Sequence, residues 1–421
     1  MAKKIAYISV HSSPLDAAGN VQFGMPLDQL VALGCQVDVF TCRPADHADV
    51  VVQYKPQVRV IQVPVAGVAC ESEQSLNDFA DFVVEYVGNE QRPYDLIHTV
   101  GSASGWVGMQ VQRTLSLPLV AELPQLAKTE RALGEAAMAR RQLRLGIQQE
   151  LIGQADLLVA RCRQHATDLQ TLCGAERDRI ALVPYGIDAE AFAPLVRGAA
   201  RDQVKWASHD FTLLHVLGTG LAGVEELIRA MAGLNRRFSV AARLCLAVPA
   251  GMNSASVDQR EVERLKALAS ELEVEDQVLV TSWHSDDDLR TLYSAADAYV
   301  SASDTEPATP GVLRAMSCGL PVVALAESDA ADLVREGETG FLVSRDHPDA
   351  LAERLAALNE DPLRRFAFGT AARLTAVEQL STGAAATRLA AVYDKVLSGP
   401  QRAARGRRTE KPAGRGLNVA V

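Results

Sequence analysis

The chain has 421 residues, of which 48% are hydrophobic and 22% are charged, and its formal net charge is −10 at pH 7. This length exceeds what one ordinary core holds and indicates two domains, while the composition is that of a globular, soluble protein. The acidic balance and an aromatic content of only 5% argue against nucleic acid or an anionic membrane as the main partner.

The N-terminus is charged and then apolar over residues 5–10, which predicts a first strand. The polar segment 11–14 ends this run too early for a signal peptide, and no apolar run in the sequence reaches membrane-spanning length. The seven cysteines are scattered, odd in number and without a Cys-x-x-Cys pair, which predicts a reduced, cytoplasmic protein. The eight dispersed histidines indicate no metal site.

Short apolar runs alternate with helix-period segments over the first 185 residues. Strands are predicted at 5–10, 37–40, 58–63, 96–98, 119–121, 157–160 and 180–183, with helices at 26–33 and 77–87 among them. This alternation is typical of the βαβ units of a doubly wound parallel sheet.

A second alternating series follows Pro194. Strands are predicted at 212–217, 244–248, 278–281, 298–301, 322–324 and 341–343, and helices at 224–235, 256–272, 286–295, 312–317, 349–359 and 362–380. Doubly wound sheets bind ligands outside the carboxyl ends of their strands, so a cleft between two such domains is the expected site. No Gly-x-Gly-x-x-Gly follows the first strand, which argues against a Rossmann dehydrogenase.

Residues 399–421 differ from the rest, with six basic residues against one acid among glycine, proline and alanine. They predict a disordered basic tail. Two interpretations stay open, a solvated terminus and a tether to an acidic partner or a membrane surface.

The segment 305–324 combines a proline-containing turn, an amphipathic helix and a buried run. Glu306 lies in the turn, where it is either a solvated loop acid or a group that accepts hydrogen bonds from sugar hydroxyls. Arg314 lies on the helix and has five donors and no acceptor, so it suits a phosphate or a neighbouring acid rather than a hydroxyl donor.

Several motifs, in order, are similar to those of the family 4 glycosyltransferases, above all the sucrose- and mycothiol-synthesising branches. They are Tyr94–His98, Ser104–Met109, Ala155–Ala160, the hinge Val183–Asp188, Asp288–Ala298, the segment 305–324 and Gly337–Val343. The resemblance implies an α/β chain of GT-B fold, with two doubly wound Rossmann-like domains facing a cleft. It places an acceptor-side domain at 1–185, a nucleotide-sugar-side domain at 186–375 and a C-terminal helix at 376–398 that packs back on the first domain.

In that family the donor is a nucleotide sugar, and no metal or cofactor is needed. The resemblance assigns Glu306 to the donor sugar, as the first of two glutamates eight positions apart. Gly19 and Asn20 then lie in the N-terminal phosphate-facing loop, and the loop Gly218-Thr219-Gly220 lies after a strand of the second domain. The glycines of this second loop form either a backbone cradle for phosphate or only a tight turn.

The sequence departs from the family at most of the charged positions. Pro124 stands in place of the catalytic histidine, with Glu122 two residues away as a candidate carboxylate substitute. Thr219 and Ala222 replace an arginine and a lysine, Arg314 replaces the second glutamate, and three acids occupy a loop that is normally rich in glycine. Removing one donor that stabilises a leaving group costs about 3 kcal/mol, so these losses bear directly on activity.

Two hypotheses follow. In the first, the protein is a pseudoenzyme of the family, a binding or regulatory subunit with a protein partner or a sugar ligand. In the second, it is an active retaining glycosyltransferase with an altered site that uses Glu306, Gly19, Gly218 and Arg314. Lys128 and Arg131 are the other cations available to such a site.

Overall fold

The computed structural model describes residues 2–15, 26–43, 49–65, 72–129, 135–218, 221, 223–250, 259–302, 309–347 and 349–399. The chain divides into two compact units. Unit 1 comprises Met1–Arg161, Ala166–Val183 and Ala386–Val421, and unit 2 comprises Cys162–His165 and Pro184–Ala385.

Unit 1 is built on an eight-stranded sheet. Its strands are β1 (Lys4–Ile8), β2 (Gln36–Cys42), β3 (Val51–Lys55), β4 (Val58–Val63), β5 (Leu96–Val100), β6 (Leu119–Glu122), β7 (Leu157–Ala160) and β8 (Ile180–Leu182). They lie in the order β3-β4-β2-β1-β5-β6-β7-β8, and every neighbouring pair is parallel except β3 and β4. The continuous apolar runs form strands buried on both faces, as in other parallel sheets.

The antiparallel strand β3 was not predicted from the sequence. Its residues are exposed or half-buried in alternation, so its run is short and lacks the continuous apolar character of the other strands. It lies at the edge of the sheet, where it pairs only with β4 among the described strands.

Helices connect the strands of unit 1. They are α1 (Leu27–Ala32), α2 (Glu73–Asn89), α3 (Ser102–Leu115), α4 (Glu135–Gln154) and α5 (Arg163–Thr171), of which the first three residues of α5 belong to unit 2. Helix α2 begins where Ser72 Oγ accepts a hydrogen bond from Ser75 N, and it buries Leu76, Phe79 and Val83 at helical spacing. Helix α3 approaches β5 closely at Gly108, where a Cβ atom would collide with Thr99 Cγ2.

Unit 2 is built on a six-stranded, wholly parallel sheet. Its strands are β9 (Phe211–Val216), β10 (Ala242–Pro249), β11 (Val278–Trp283), β12 (Ala298–Ser301), β13 (Val322–Leu325) and β14 (Gly340–Val343), in the order β11-β10-β9-β12-β13-β14. The helices are α6 (Arg197–Val204), α7 (Val224–Phe238), α8 (Gln259–Glu271), α9 (Asp286–Ala295), α10 (Thr309–Ser317), α11 (Ala350–Glu360) and α12 (Pro362–Gln379). The strand order reverses at β9, which is the switch point where doubly wound sheets bind ligands.

The last helix, α13 (Thr382–Ser398), follows α12 after a break at Leu380 and Ser381. Its residues from Ala386 onward belong to unit 1, where the hydroxyl of Tyr393 lies 2.8 Å from His98 Nδ1. The side chain of Lys395 donates to the carbonyl of Asp178 at 2.8 Å.

Gly186 lies in the hinge motif, where its backbone packs closely against the segment that begins α13. A Cβ atom on Gly186 would lie 2.6 Å from Thr382 Cα, and backbone hydrogen bonds join Ile187 to Leu380 and Thr382. The position therefore requires glycine because two backbone segments pack together there.

The cysteines are not all reduced, which corrects the sequence-based prediction. Cys42 at the end of β2 is disulfide-bonded, and Cys70 lies outside the described residues. Free thiols are described at Cys35, Cys162, Cys173, Cys245 and Cys318. Within the described part of the chain, no group of three or more His, Cys, Asp or Glu side chains could hold a metal ion. Among the described helices, none is long and apolar enough to span a membrane.

Candidate functional site

Glu122 ends β6, at the carboxyl edge of the sheet of unit 1, where parallel α/β sheets bind ligands. Its side chain is only 2% exposed. Arg161 follows β7, the neighbouring strand. It donates hydrogen bonds to both carboxylate oxygens of Glu122, from Nε to Oε1 at 2.6 Å and from Nη2 to Oε2. Arg161 Nη1 also donates to the carbonyl of Val183 at 3.2 Å.

This bidentate pair uses the fixed fork of the guanidinium, which is among the stronger side-chain interactions. Glu122 was predicted as a carboxylate substitute for the missing histidine. In the structure, Arg161 neutralises the carboxylate charge of Glu122 inside unit 1. Removing either partner of such a pair leaves the other charge buried without a counter-ion. The pair therefore joins the ends of β6 and β7.

His98 lies on β5 of the same sheet and is fully buried. Its Nδ1 is 2.8 Å from the hydroxyl of Tyr393, its ring meets that of Tyr7 edge-on at 5.1 Å, and its Nε2 has no hydrogen-bond partner among the described residues. Burial lowers the pKa of His98 to about 4, so the imidazole is neutral at pH 7. The sequence motif 94–98 indicated this strand but gave no role to the histidine.

The remaining predicted residues of unit 1 are less informative. Lys128 is exposed, and its ammonium donates to the carbonyl of Leu172. Gly19 and Asn20 lie outside the described residues, as does the alternative cation Arg131.

In unit 2, Gly218 comes two residues after β9 and is exposed, at the carboxyl edge of the sheet. Thr219, Gly220 and Ala222 lie outside the described residues, so the predicted phosphate cradle is described only at its first glycine. Glu306 also lies outside them. The described part of this segment begins at Thr309, the first residue of α10.

The N-terminus of α10 is held by a carboxylate. Asp329 Oδ2 accepts hydrogen bonds from Thr309 N at 3.2 Å and from Thr309 Oγ1 at 2.6 Å. The N-terminus of a helix carries unpaired N–H groups and a partial positive charge, and it commonly binds anions. Here an aspartate of the protein itself provides the anion.

The other two acids of the 326–332 loop are also engaged. Glu327 Oε1 accepts from Ser344 Oγ at 2.9 Å and from Arg345 N at 3.4 Å. Asp332 accepts from the backbone N–H of Arg163 and lies 3.4 Å from its guanidinium. All three acids, which the sequence left without partners, thus stabilise the loop structure of unit 2.

Arg314 lies on α10, and only 9% of its side chain is exposed. Its guanidinium stands 5.3 Å from the ring centroid of Phe192, and Nη2 lies 3.7 Å from Asp286 Oδ1 at the start of α9. Of the two partners that the sequence left open for Arg314, a phosphate or a neighbouring acid, the described residues provide an acid, Asp286. Sequence reasoning missed both partners because each is distant from Arg314 along the chain.

In each unit, the described candidate residues are therefore engaged in contacts within that unit. In unit 1, Glu122, the predicted carboxylate substitute, is paired with an arginine. In unit 2, the predicted cation Arg314 contacts an aromatic ring and an acid, and Asp329 occupies the N-terminus of α10. Two parallel-sheet units with sites at the carboxyl ends of their strands define a protein of the GT-B class.

Comparisons with known proteins agree with this class. The model of the group 1 glycosyl transferases matches residues 202–375, and that of the glycosyl transferase 4-like domain matches residues 20–186. D-inositol 3-phosphate glycosyltransferase of Kribbella flavida is 32% identical over 386 residues, which cover 88% of this chain and 90% of that protein. The chain belongs to the group 1 glycosyltransferase family, as its motifs predicted.

Solved structures confirm the predicted fold. Sucrose-phosphate synthase of Thermosynechococcus elongatus superposes with a TM-score of 0.76 at 24% identity, over 94% of this chain and 99% of that one. HepE of Anabaena, in complex with UDP-glucose, superposes with a TM-score of 0.66 at 18% identity, over 93% and 99% of the two chains. These identities show the GT-B fold alone.

Proposed function

We propose that this protein is a group 1 glycosyltransferase homologue whose donor site is catalytically impaired, and that it acts as a binding or regulatory subunit. The observation that carries the proposal is the carboxylate of Asp329 on the N-terminus of α10. The family resemblance puts the donor diphosphate beside the loop that contains Asp329.

A carboxylate in this position opposes a diphosphate in two ways. It accepts hydrogen bonds that the first residue of α10 would otherwise offer to a phosphate oxygen. It also repels the ligand, since two like unit charges about 4 Å apart at an effective dielectric constant of about 20 interact by about 4 kcal/mol.

Two further side chains support impairment. Arg314 stands in place of the second glutamate, and its guanidinium lies against Phe192 and Asp286 with little exposed surface. Glu122, the nearest carboxylate to the missing histidine in sequence, is held by Arg161. Groups that stabilise a transition state act together, so the loss of several removes more than the loss of one.

The test is a calorimetric titration of the purified, folded protein with UDP, GDP, ADP and UDP-glucose, the last being the ligand of the structurally similar HepE. We expect no heat of binding at concentrations up to about 1 mM, which corresponds to a free energy weaker than about −4 kcal/mol. Micromolar binding of any of these nucleotides would contradict the proposal.

A second function has a specific observation in its favour. D-inositol 3-phosphate glycosyltransferases resemble this chain along nearly its whole length, 32% identical over 412 residues for the Catenulispora acidiphila protein. An active retaining enzyme would use Glu306 for the donor sugar and Gly19 and Gly218 for backbone contacts. Glycosyl transfer from a nucleotide sugar to D-inositol 3-phosphate that is abolished by Glu306→Gln would establish this function and overturn the first.

A further inference from the structure

Helix α12 carries apolar side chains on its outward face as well as on its buried face. Leu363 is 82% exposed, Phe366 75%, Leu374 56% and Val377 42%. The opposite face buries Phe368, Ala372 and Ala376. A surface helix normally presents polar residues outward, and a contiguous exposed apolar patch marks a binding surface.

The exposed apolar residues form one stripe. At 3.6 residues per turn, Leu363, Phe366, Thr370, Leu374 and Val377 project within a sector of about 80° and extend along about 21 Å of the helix. We refer to these five residues as the α12 stripe. The stripe lies wholly in unit 2.

The α12 stripe is symmetric about Thr370. Leu363 and Val377 are placed seven residues before and after Thr370, and Phe366 and Leu374 are placed four residues before and after it. An antiparallel copy of the helix, related by a two-fold axis through Thr370, therefore sets Leu363 against Val377 and Phe366 against Leu374. A two-fold interface requires this kind of self-complementary surface.

The charges that flank the stripe obey the same symmetry. Arg364 and Glu378 project on the same side of the stripe, about 100° and 60° from Leu363 around the helix. In the dimer, Arg364 of one copy and Glu378 of the other are offset by about two residues, or about 3 Å measured along the helix axis. Arg364 also contacts Asp361 at 3.5 Å, and the several donors of a guanidinium allow both interactions. Opposite charges thus meet on each side of the two-fold axis.

We propose that the α12 stripe is a homodimer interface, in which α12 packs antiparallel against α12 of a second copy of this chain. A second copy of the chain is favoured over a lipid surface as the occupant, because the stripe and its flanking charges, the basic Arg364 and the acidic Glu378, complement themselves under a two-fold operation, and a lipid surface requires no such symmetry. One helix face is smaller than the roughly 800 Å² per partner of a standard interface. The dimer is therefore weak, and the monomer predominates at low protein concentration.

The first test is sedimentation equilibrium of the full chain across a concentration series. The wild type shifts from monomer to dimer, whereas Phe366→Glu remains monomeric over the same range. Val196→Glu is the matched control, because Val196 is 79% exposed at the start of α6 and the substitution adds the same charge. A wild type that is monomeric at every concentration, or a dimer that survives Phe366→Glu, would overturn the proposal.

The second test fixes the geometry. Arg364→Glu and Glu378→Arg each weaken the dimer severalfold, and the double variant recovers it because the cross-axis pair is restored in reverse. Under oxidation Thr370→Cys forms a covalent dimer, since the residue meets its own copy on the axis, whereas Leu363→Cys does not. Cross-linking of both cysteine variants would indicate that the two helices are parallel. Loss of vesicle binding by Phe366→Glu without a change in dimerisation would indicate that the stripe binds a lipid surface. Either result overturns the proposal.

Discussion

At the scale of single residues, the chain places its site side chains in internal contacts. Glu122 is paired with Arg161. Arg314 contacts Asp286 and Phe192. Asp329 accepts hydrogen bonds from Thr309. The sequence indicated which of these residues were unusual for the family. It could not indicate their partners, because each partner comes from a different element and is brought near only by the fold.

His98 gives a residue-scale prediction about pH. Burial lowers its pKa to about 4 in the folded protein, against 6.5 for an ordinary histidine, so between these values the unfolded chain binds the proton and the folded chain does not. Stability is therefore full above about pH 6.5 and falls as the pH drops towards 4. We expect the urea midpoint of unit 1 to fall between pH 7 and pH 5.5, where most carboxylates do not yet titrate.

The matched variant for this prediction is His98→Gln, which cannot take up a proton. Its midpoint is lower at every pH, because the buried contact with Tyr393 changes, but its dependence on pH between 7 and 5.5 is flatter. An unchanged slope in His98→Gln would show that other groups set the acid response. His215, whose pKa is also lowered by burial, lies on β9 of unit 2 and contributes its slope to the unfolding of that unit.

At the scale of elements, the sequence predicted most strands and helices because continuous apolar runs and helical periodicity are local signals. Helix α12 was predicted at 362–380 and spans Pro362–Gln379. Strand β3 was not predicted, because its residues are alternately exposed and half-buried and do not form the continuous apolar run of a buried parallel strand. The close packing of Gly186 against Thr382 could not be predicted, because the two residues are distant along the chain and only the fold brings them together.

The contact between α3 and β5 gives an element-scale prediction. In Gly108→Ala the new methyl group meets Thr99 Cγ2 and Leu119 Cδ1 in the buried interface, so we expect a loss of about 1–3 kcal/mol of stability from overpacking. Gly146→Ala on α4 is the control, since no atom lies within 4 Å of its added Cβ and alanine favours the helix by up to about 1 kcal/mol. Denaturant unfolding monitored by circular dichroism measures both. Equal effects of the two variants would contradict close packing at Gly108.

At the scale of the whole molecule, the alternating pattern of strands and helices was enough to predict two doubly wound units, and the ordered motifs were enough to predict the family. Function is less well determined by these features, because one fold serves many sites. On the proposed function, a small number of charges separates this chain from a working transferase, and the most informative of them, Asp329, was seen in the sequence only as one acid in a loop.

In the proposed function, Asp329 takes the position of a ligand phosphate on α10, and nucleotide titration of Asp329→Asn beside the wild type tests this role most directly. The variant removes the charge but keeps an acceptor for Thr309, and Glu327→Gln, in the same loop, is the matched control. We expect the wild type and Glu327→Gln to show no heat with UDP or UDP-glucose, and Asp329→Asn to show measurable binding. Micromolar binding by the wild type, unchanged in Asp329→Asn, would contradict the claim.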